Sequence, residues 1–281
     1  MIVDVHSHDF PDAIAARAMA GMCRMTAGRL WPVGDGTLAN HLDSMDRAGI
    51  DRAVSCPIAT KPDQFEVILR RAVGIRDGAF GERARRRIVP FASVHPLDPH
   101  VAAHLEAIAA AGVKGVKFHC YYQGFSLADP AVWPMFAKIA DLGLVVQCHA
   151  GADVSWRDTF GMCGPGEIAT LLRHVPGLRF IAAHLGGCDG YPPHATDELL
   201  ELGAYIDTSV LHRRWHYDEA MRLVRSWPRE RILFGTDFPW ADGSEAIRWV
   251  KSVRDPADWG ALFGGNACRL LSIKSAPQAI P

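Results

Sequence analysis

Short runs of apolar and β-branched residues alternate along the chain with longer amphipathic stretches, the pattern of strands separated by helices. The runs predict eight strands, at 2–6, 52–57, 88–95, 115–119, 144–149, 179–184, 204–208 and 231–237. Helical periodicity falls between them at 38–48, 65–76, 99–111, 130–142, 166–174, 198–202 and 217–227. Two further helices, 244–253 and 266–273, follow the eighth strand. Gly49, Gly112 and Gly143 each follow a helical stretch, where a left-handed residue closes the last turn without a Cβ penalty. Strands joined through helices pair in parallel by right-handed crossovers. Eight such units spaced by roughly 33 residues suit a closed barrel better than an open sheet. No strand is followed by G-x-G-x-x-G, which removes the main reason to prefer the open sheet. The expected fold is therefore α/β, a single (β/α)8 TIM barrel over 1–274. It should carry a long segment at 9–36, a loop or lid or equally a packed extra subdomain, with extra C-terminal helices and a loose tail at 275–281.

Composition narrows the functional classes. At 49% hydrophobic and 22% charged residues, the 281-residue chain has the profile of a soluble globular protein, not a disordered one. Thirty basic against thirty-one acidic residues leave a net charge of −1, so no global field recruits nucleic acid or an anionic membrane. The densest basic cluster, Arg83, Arg85, Arg86 and Arg87, reads as a solvated loop. No apolar run approaches the length of a membrane span. The opening M-I-V-D-V-H reads as a strand and not as a signal peptide. Seven cysteines without a C-x-x-C pair argue against a disulfide framework and for a reducing, cytoplasmic compartment.

Polar residues mark the strand ends. Six of thirteen histidines, His6, His8, His95, His119, His149 and His184, fall at predicted carboxyl termini of strands, and strand eight ends in Asp237. In a barrel these ends converge on one face. One such histidine is usually a satisfied core residue; a convergent set is not well explained that way, because buried polar groups without partners are costly. His6 and His8, in H-S-H, are two apart and share a strand face, so both can address one ion. His149 (C-H-A-G) and His184 (A-H-L-G-G) close apolar strands before glycine loops. Asp237, in G-T-D-F-P, has the alternative of a turn former or helix cap. Lys117 and His119 also share a face. A lysine there must be neutralised, paired or modified, and for His119 ligand, substrate contact and support stay open. His95, followed by Pro96, suits a plain strand exit. Cys120 and Cys148 point away from the site by alternation and read as core fillers. In the loops, Tyr122, Trp156, Arg157, Arg213 and Trp240, together with His119, form a substrate-binding set suited to a small, partly flat, carboxylate-bearing molecule.

These segments together, V-D-V-H-S-H (3–8), G-V-K-F-H-C-Y-Y-Q-G-F (115–125), C-H-A-G (148–151), A-H-L-G-G (183–187), G-T-D-F-P (235–239) and G-G-N-A-C-R-L-L (264–271), span almost the whole chain. In that order they resemble the amidohydrolase superfamily, in its amidohydrolase-related branch of metal-dependent TIM-barrel enzymes. The resemblance implies one or two divalent ions per chain, zinc first and iron or manganese as alternatives. The implied ligands are His6, His8, His149, His184 and Asp237, with Lys117, carboxylated, as a bridge in the two-metal version. With one metal, His184 is left free as an acid–base or electrophilic residue, and Asp237 is the general base. Such a centre lowers the pKa of bound water toward about 7. The implied activity is hydrolysis of a small carboxylate-bearing substrate. A non-oxidative decarboxylase and a dinuclear-iron oxygenase use the same scaffold, and a non-enzymatic binding barrel would need a broken ligand set, which this is not. The family likeness also implies a homodimer.

Overall fold

The structure is a computed structural model that describes residues 1–156, 159–188, 190–209 and 217–274. Its strands are β1 (Val3–Ser7), β2 (Arg52–Ser55), β3 (Ile88–Pro90), β4 (Gly115–Phe118), β5 (Val145–Cys148), β6 (Arg179–Ala182), β7 (Tyr205–Asp207) and β8 (Ile232–Leu233). All pairings are parallel, in the order β1-β2-β3 and β4-β5-β6-β7-β8. The two sheets meet at both edges. Past β3, Ala92 donates to the Gly115 carbonyl at 3.1 Å and accepts from the Lys117 amide at 2.9 Å. At the other edge Val5 donates to Phe234 at 2.9 Å, and Asp237 donates to the His6 carbonyl at 2.7 Å. The eight parallel strands and intervening helices expected from the sequence are thus present, as two sheets joined by isolated bridges at Ala92–Val116 and Ser7–Phe238.

Local chemistry sets the element ends. Thr37 caps the helix Leu38–Ala48 by accepting from the Asn40 amide, and Gly49 ends it at φ 71°. β8 is shorter than the expected 231–237 because the Phe234 amide donates to the Leu262 carbonyl and the Gly235 amide to the Thr208 hydroxyl instead of to a neighbouring strand. β3 ends at Pro90, which has no amide hydrogen to donate to a ladder. Two expectations need correction. Of the two readings of 9–36, loop or lid against packed extra subdomain, the first is too simple, because the segment contains the helix Asp12–Met25. That helix buries only Ala15 and Met19, one turn apart, so its apolar stripe is too thin to stand out as periodicity. The basic cluster is not a loop either. Arg83, Arg85, Arg86 and Arg87 lie on the short helix Glu82–Arg87, and Asp43, Asp46 and Glu82 pair with them.

The core has two parts. Phe118 and Phe180 on the strands pack with Phe136, Ile139 and Leu171 of the surrounding helices, all fully buried. Val54, Phe91, Val145, Ile181 and Leu233 form a second cluster. On β5, β7 and β8 the residues two and four places further along that same face are polar or glycine: Gln147 and His149, Asp207 and Ser209, Gly235 and Asp237. An apolar plug thus gives way to chemistry toward the carboxyl ends of the strands. Cys120 and Cys148 sit in the outer core, as expected, with sulfurs 3.9 Å apart. Among the described residues no helix is long and apolar enough to cross a membrane.

Gly115 tests this packing. A Cβ there would meet the Phe91 ring at 2.4 Å and the Val145 carbonyl oxygen at 2.5 Å. Gly115→Ala is expected to lower unfolding free energy by about 1–3 kcal/mol. Chemical denaturation checks this, and an unchanged midpoint would contradict the packing.

Candidate metal centre

β1 and the segment after β8 bring His6, His8 and Asp237 together. The Nε2 atoms of His6 and His8 lie 3.3 Å apart, and Asp237 Oδ1 lies 3.4 Å from the first and 3.2 Å from the second. Lys117 Nζ, fully buried on β4, lies 2.8 Å from the same His6 Nε2. His149 and His184 face each other from the ends of β5 and β6, with His184 Nε2 3.0 Å from His149 Nδ1. The His6 and His184 rings are 5.0 Å apart between centroids.

The backs of these rings decide what their fronts can do. His6 Nδ1 meets Asp207 Oδ2 at 3.0 Å, His8 Nδ1 meets the Cys56 carbonyl at 2.7 Å, and His184 Nδ1 meets the Ser209 carbonyl at 2.7 Å. A carbonyl or carboxylate only accepts, so each Nδ1 donates, and in a neutral ring the Nε2 is left as a lone pair. His184 Nε2 then accepts from His149 Nδ1, which leaves His149 Nε2 a buried lone pair with no hydrogen-bond partner. Burial, with Lys117 next in effect, holds the His6 pKa down at about 4. Burial and the neighbouring His119 and His184 hold His149 well below the ordinary range. Burial alone would raise Asp237, but the imidazoles of His6 and His8 outweigh it and keep the carboxyl ionised. Neutral imidazole lone pairs beside an ionised carboxylate are the donor set of a divalent ion such as zinc, iron or manganese. The residues present fit the group.

The loops that carry His149 and His184 touch backbone to backbone. A Cβ on Gly187 would meet the Gly151 nitrogen at 2.4 Å, and one on Gly151 would meet Gly187 Cα at 2.8 Å. His184, Leu185 and Gly186 all have positive φ, at 55°, 51° and 75°. Consecutive left-handed residues, two of them non-glycine, are strained conformations of the kind concentrated at working sites.

The remaining expectations divide. His119 stacks on His149, with centroids 4.1 Å apart and planes at 13°. Its Nε2 lies 3.3 Å from Asp153 Oδ2, and burial first, then Lys117, keeps it neutral. His119, His149 and Asp153 offer ligand atoms close to one another. Nearly parallel stacked rings, however, direct their in-plane lone pairs alongside each other instead of at one point. Tyr122 packs its edge against His119 and against Trp156, at 4.2 and 5.1 Å. Trp240 is buried and donates its amide to the Asp237 carbonyl. His95 stands apart, its Nδ1 accepting from the Leu97 amide in its own turn. Arg157 and Arg213, with their neighbours His212, Arg214 and Trp215, lie outside the described residues, as does the 275–281 tail. Asp207, Ser209, Gln147 and Asp153 were not singled out from the sequence. Asp207, in I-D-T-S at the end of strand seven, carried the same signal as Asp237: a carboxylate closing an apolar strand.

Fold and site together define a class: (β/α)8 barrel proteins with a histidine–aspartate metal centre at the carboxyl ends of the strands. The family model described as Amidohydrolase matches residues 3–273, and the chain belongs to the amidohydrolase family, whose members are metal-dependent. No curated protein matches significantly. Among solved structures, it resembles an uncharacterised TIM-barrel protein from Bordetella bronchiseptica, with 18% identity, TM-score 0.75 and coverage of 96% of this chain and 98% of that one. It also resembles 5-carboxyvanillate decarboxylase from Sphingomonas paucimobilis, with 15% identity, TM-score 0.71 and coverage of 97% and 99%. A third is a probable 2-pyrone-4,6-dicarboxylic acid hydrolase from Acinetobacter baumannii, with 15% identity, TM-score 0.66 and coverage of 97% and 99%. At such identities these likenesses establish the fold.

The imidazole environment sets a pH dependence for the metal-free protein. His6, His119 and His149 are harder to protonate folded than unfolded, so stability is lost as pH falls below about 6.5 toward about 4. Asp4 works in the opposite sense, since burial raises it to about 7. Three groups against one leave a net loss. Urea midpoints of chelator-treated protein are expected to fall between pH 7 and pH 4.5, less steeply in His6→Gln. A flat profile would contradict the buried neutral imidazoles.

Proposed function

We propose that the protein is a metal-dependent enzyme that hydrolyses a small, carboxylate-bearing substrate. The observation that carries this reading is the convergence of His6 Nε2, His8 Nε2 and Asp237 Oδ1. These three, with His149 as a further donor, would hold a divalent ion, zinc by donor type. A bound ion supplies Lewis acidity and a water whose pKa is near 7. Asp237, ionised and 16% exposed, would take a proton from water and return it to the leaving group. His184 Nε2, held 3.0 Å from His149 Nδ1 by the grip of the Ser209 carbonyl on Nδ1, would serve as a base or further metal donor, and would have to take up a proton before it could polarise a scissile carbonyl. Lys117 puts a buried amine beside His6, and that amine would attract a substrate carboxylate. In a two-metal version its carboxylation would convert it into a bridging anion. The edges of Tyr122 and Trp156 beside His119 supply an aromatic wall for a flat substrate.

Loss of CO2 without consumption of water is the second reading. It is supported by the likeness to 5-carboxyvanillate decarboxylase, just as the first is supported by the likeness to the probable hydrolase. The same donors would then hold the substrate carboxylate and an adjacent oxygen, and a side chain would deliver the proton to carbon.

One experiment separates them. Metal content is measured on untagged protein, and a panel of aromatic acids, muconate-like acids, lactones and amides is turned over in ¹⁸O-labelled water. We expect about one ion per chain, label in the product, and a loss of about 10²-fold or more in kcat for Asp237→Asn. CO2 release with no label would replace hydrolysis by decarboxylation. Two irons with oxygen uptake would install the oxygenase reading, and activity without metal would remove the whole scheme.

A further inference from the structure

Asp207 is fully buried at the end of β7, and each of its oxygens is committed. Oδ2 accepts from His6 Nδ1 at 3.0 Å and from Gln147 Nε2 at 2.8 Å. Oδ1 accepts from the His184 amide and the Ser209 amide, each at 3.0 Å, and from the Ser209 hydroxyl. His6, His184 and Asp207 offer ligand atoms close enough together for an ion, so ligation by Asp207 must be weighed. Two observations oppose it. The His6 atom that faces Asp207 is Nδ1, whereas Nε2 faces His8, Lys117 and Asp237. And five donors already share the two carboxylate oxygens, about the full lone-pair capacity of such a group.

Room for this contact comes from Gly235, two residues past β8. A Cβ at Gly235 would lie 3.1 Å from His6 Cβ and 3.3 Å from Asp207 Cβ, tighter than side chains pack without displacement. The hydrogen-bonded span also couples two imidazoles, because the carboxylate that holds the His6 ring holds the His184 backbone and Ser209, whose carbonyl takes His184 Nδ1.

We propose that Asp207 is the positioning residue of the metal centre: it fixes His6 as the Nδ1–H tautomer with Nε2 directed at the ion, and through Ser209 sets the same orientation for His184. This rests on the metal-centre reading above. A ligand imidazole whose far nitrogen is held by a carboxylate is oriented and made more basic, and loss of such a partner typically weakens metal binding by about 10–100-fold.

The test is the affinity of the full-length protein for Zn²⁺, by competition with a chromophoric chelator, together with the visible absorption of its Co²⁺ form. Asp207→Asn is expected to bind Zn²⁺ about 10–100-fold more weakly and to shift the Co²⁺ bands. A purely structural role would lower the melting temperature and leave the bands of the folded fraction unchanged. Gly235→Ala, which keeps every polar group but crowds His6 against Asp207, is expected to shift the bands in the same direction with a smaller loss of affinity. It decides the matter if Asp207→Asn does not fold. Wild-type affinity and spectra in the variants that fold would overturn the assignment of Asp207 while leaving the metal centre standing. A wild-type protein that binds neither ion would overturn both.

Discussion

Parallel pairing of eight strands puts every strand's carboxyl end on one rim, and this constraint organises the molecule. A rim of converging strand ends has few neighbours to fill it with apolar side chains. Polar groups placed there lose water on one side and must find partners on the other. The observed solution is graded. Val54, Phe91, Val145, Ile181 and Leu233 close the barrel with a dry layer. Above it Lys117, Gln147 and Asp207 form a buried polar layer, and His8, Asp237 and His184 stand at its partly exposed edge.

That graded layer dictates the tautomers. The acceptors behind the rings, the carboxylate of Asp207 and the carbonyls of Cys56 and Ser209, are fixed by the folded chain and cannot donate. Each ring therefore turns Nδ1–H to the fold and its Nε2 into the site. The close approach of Gly151 to Gly187 serves the same end, since a side chain on either loop would part His149 from His184.

Such a site is chemically permissive. Lone pairs, one ionised carboxylate and one buried amine suit water activation, and they suit equally the chelation of a substrate carboxylate. What divides these reactions is the placement of the substrate's labile bond, which depends on the walls of the cavity and not on the ligands. Beside the histidines, Tyr122 packs edge-on against both His119 and Trp156.

The alternation of apolar strands with amphipathic helices, and histidines or aspartate at the strand ends, made the barrel and the set His6, His8, His149, His184 and Asp237 legible from the chain alone. Both signals are local: period-two and period-3.6 burial, and polar residues where burial should end. The helix Asp12–Met25 was illegible because two buried residues make too narrow a stripe. Asp153 and Ser209 were equally hidden, since a loop acidic residue or a serine says nothing by itself about the ring it will meet. Sequence determined which groups reach the rim. Tertiary structure alone decided how they face each other: that His119 stacks on His149, that Lys117 meets His6 from 111 residues away, and that Asp207 takes His6 Nδ1 across 201 residues. Orientation at such separations arises only when ring closure brings distant strands to hydrogen-bonding distance, and no local pattern records it.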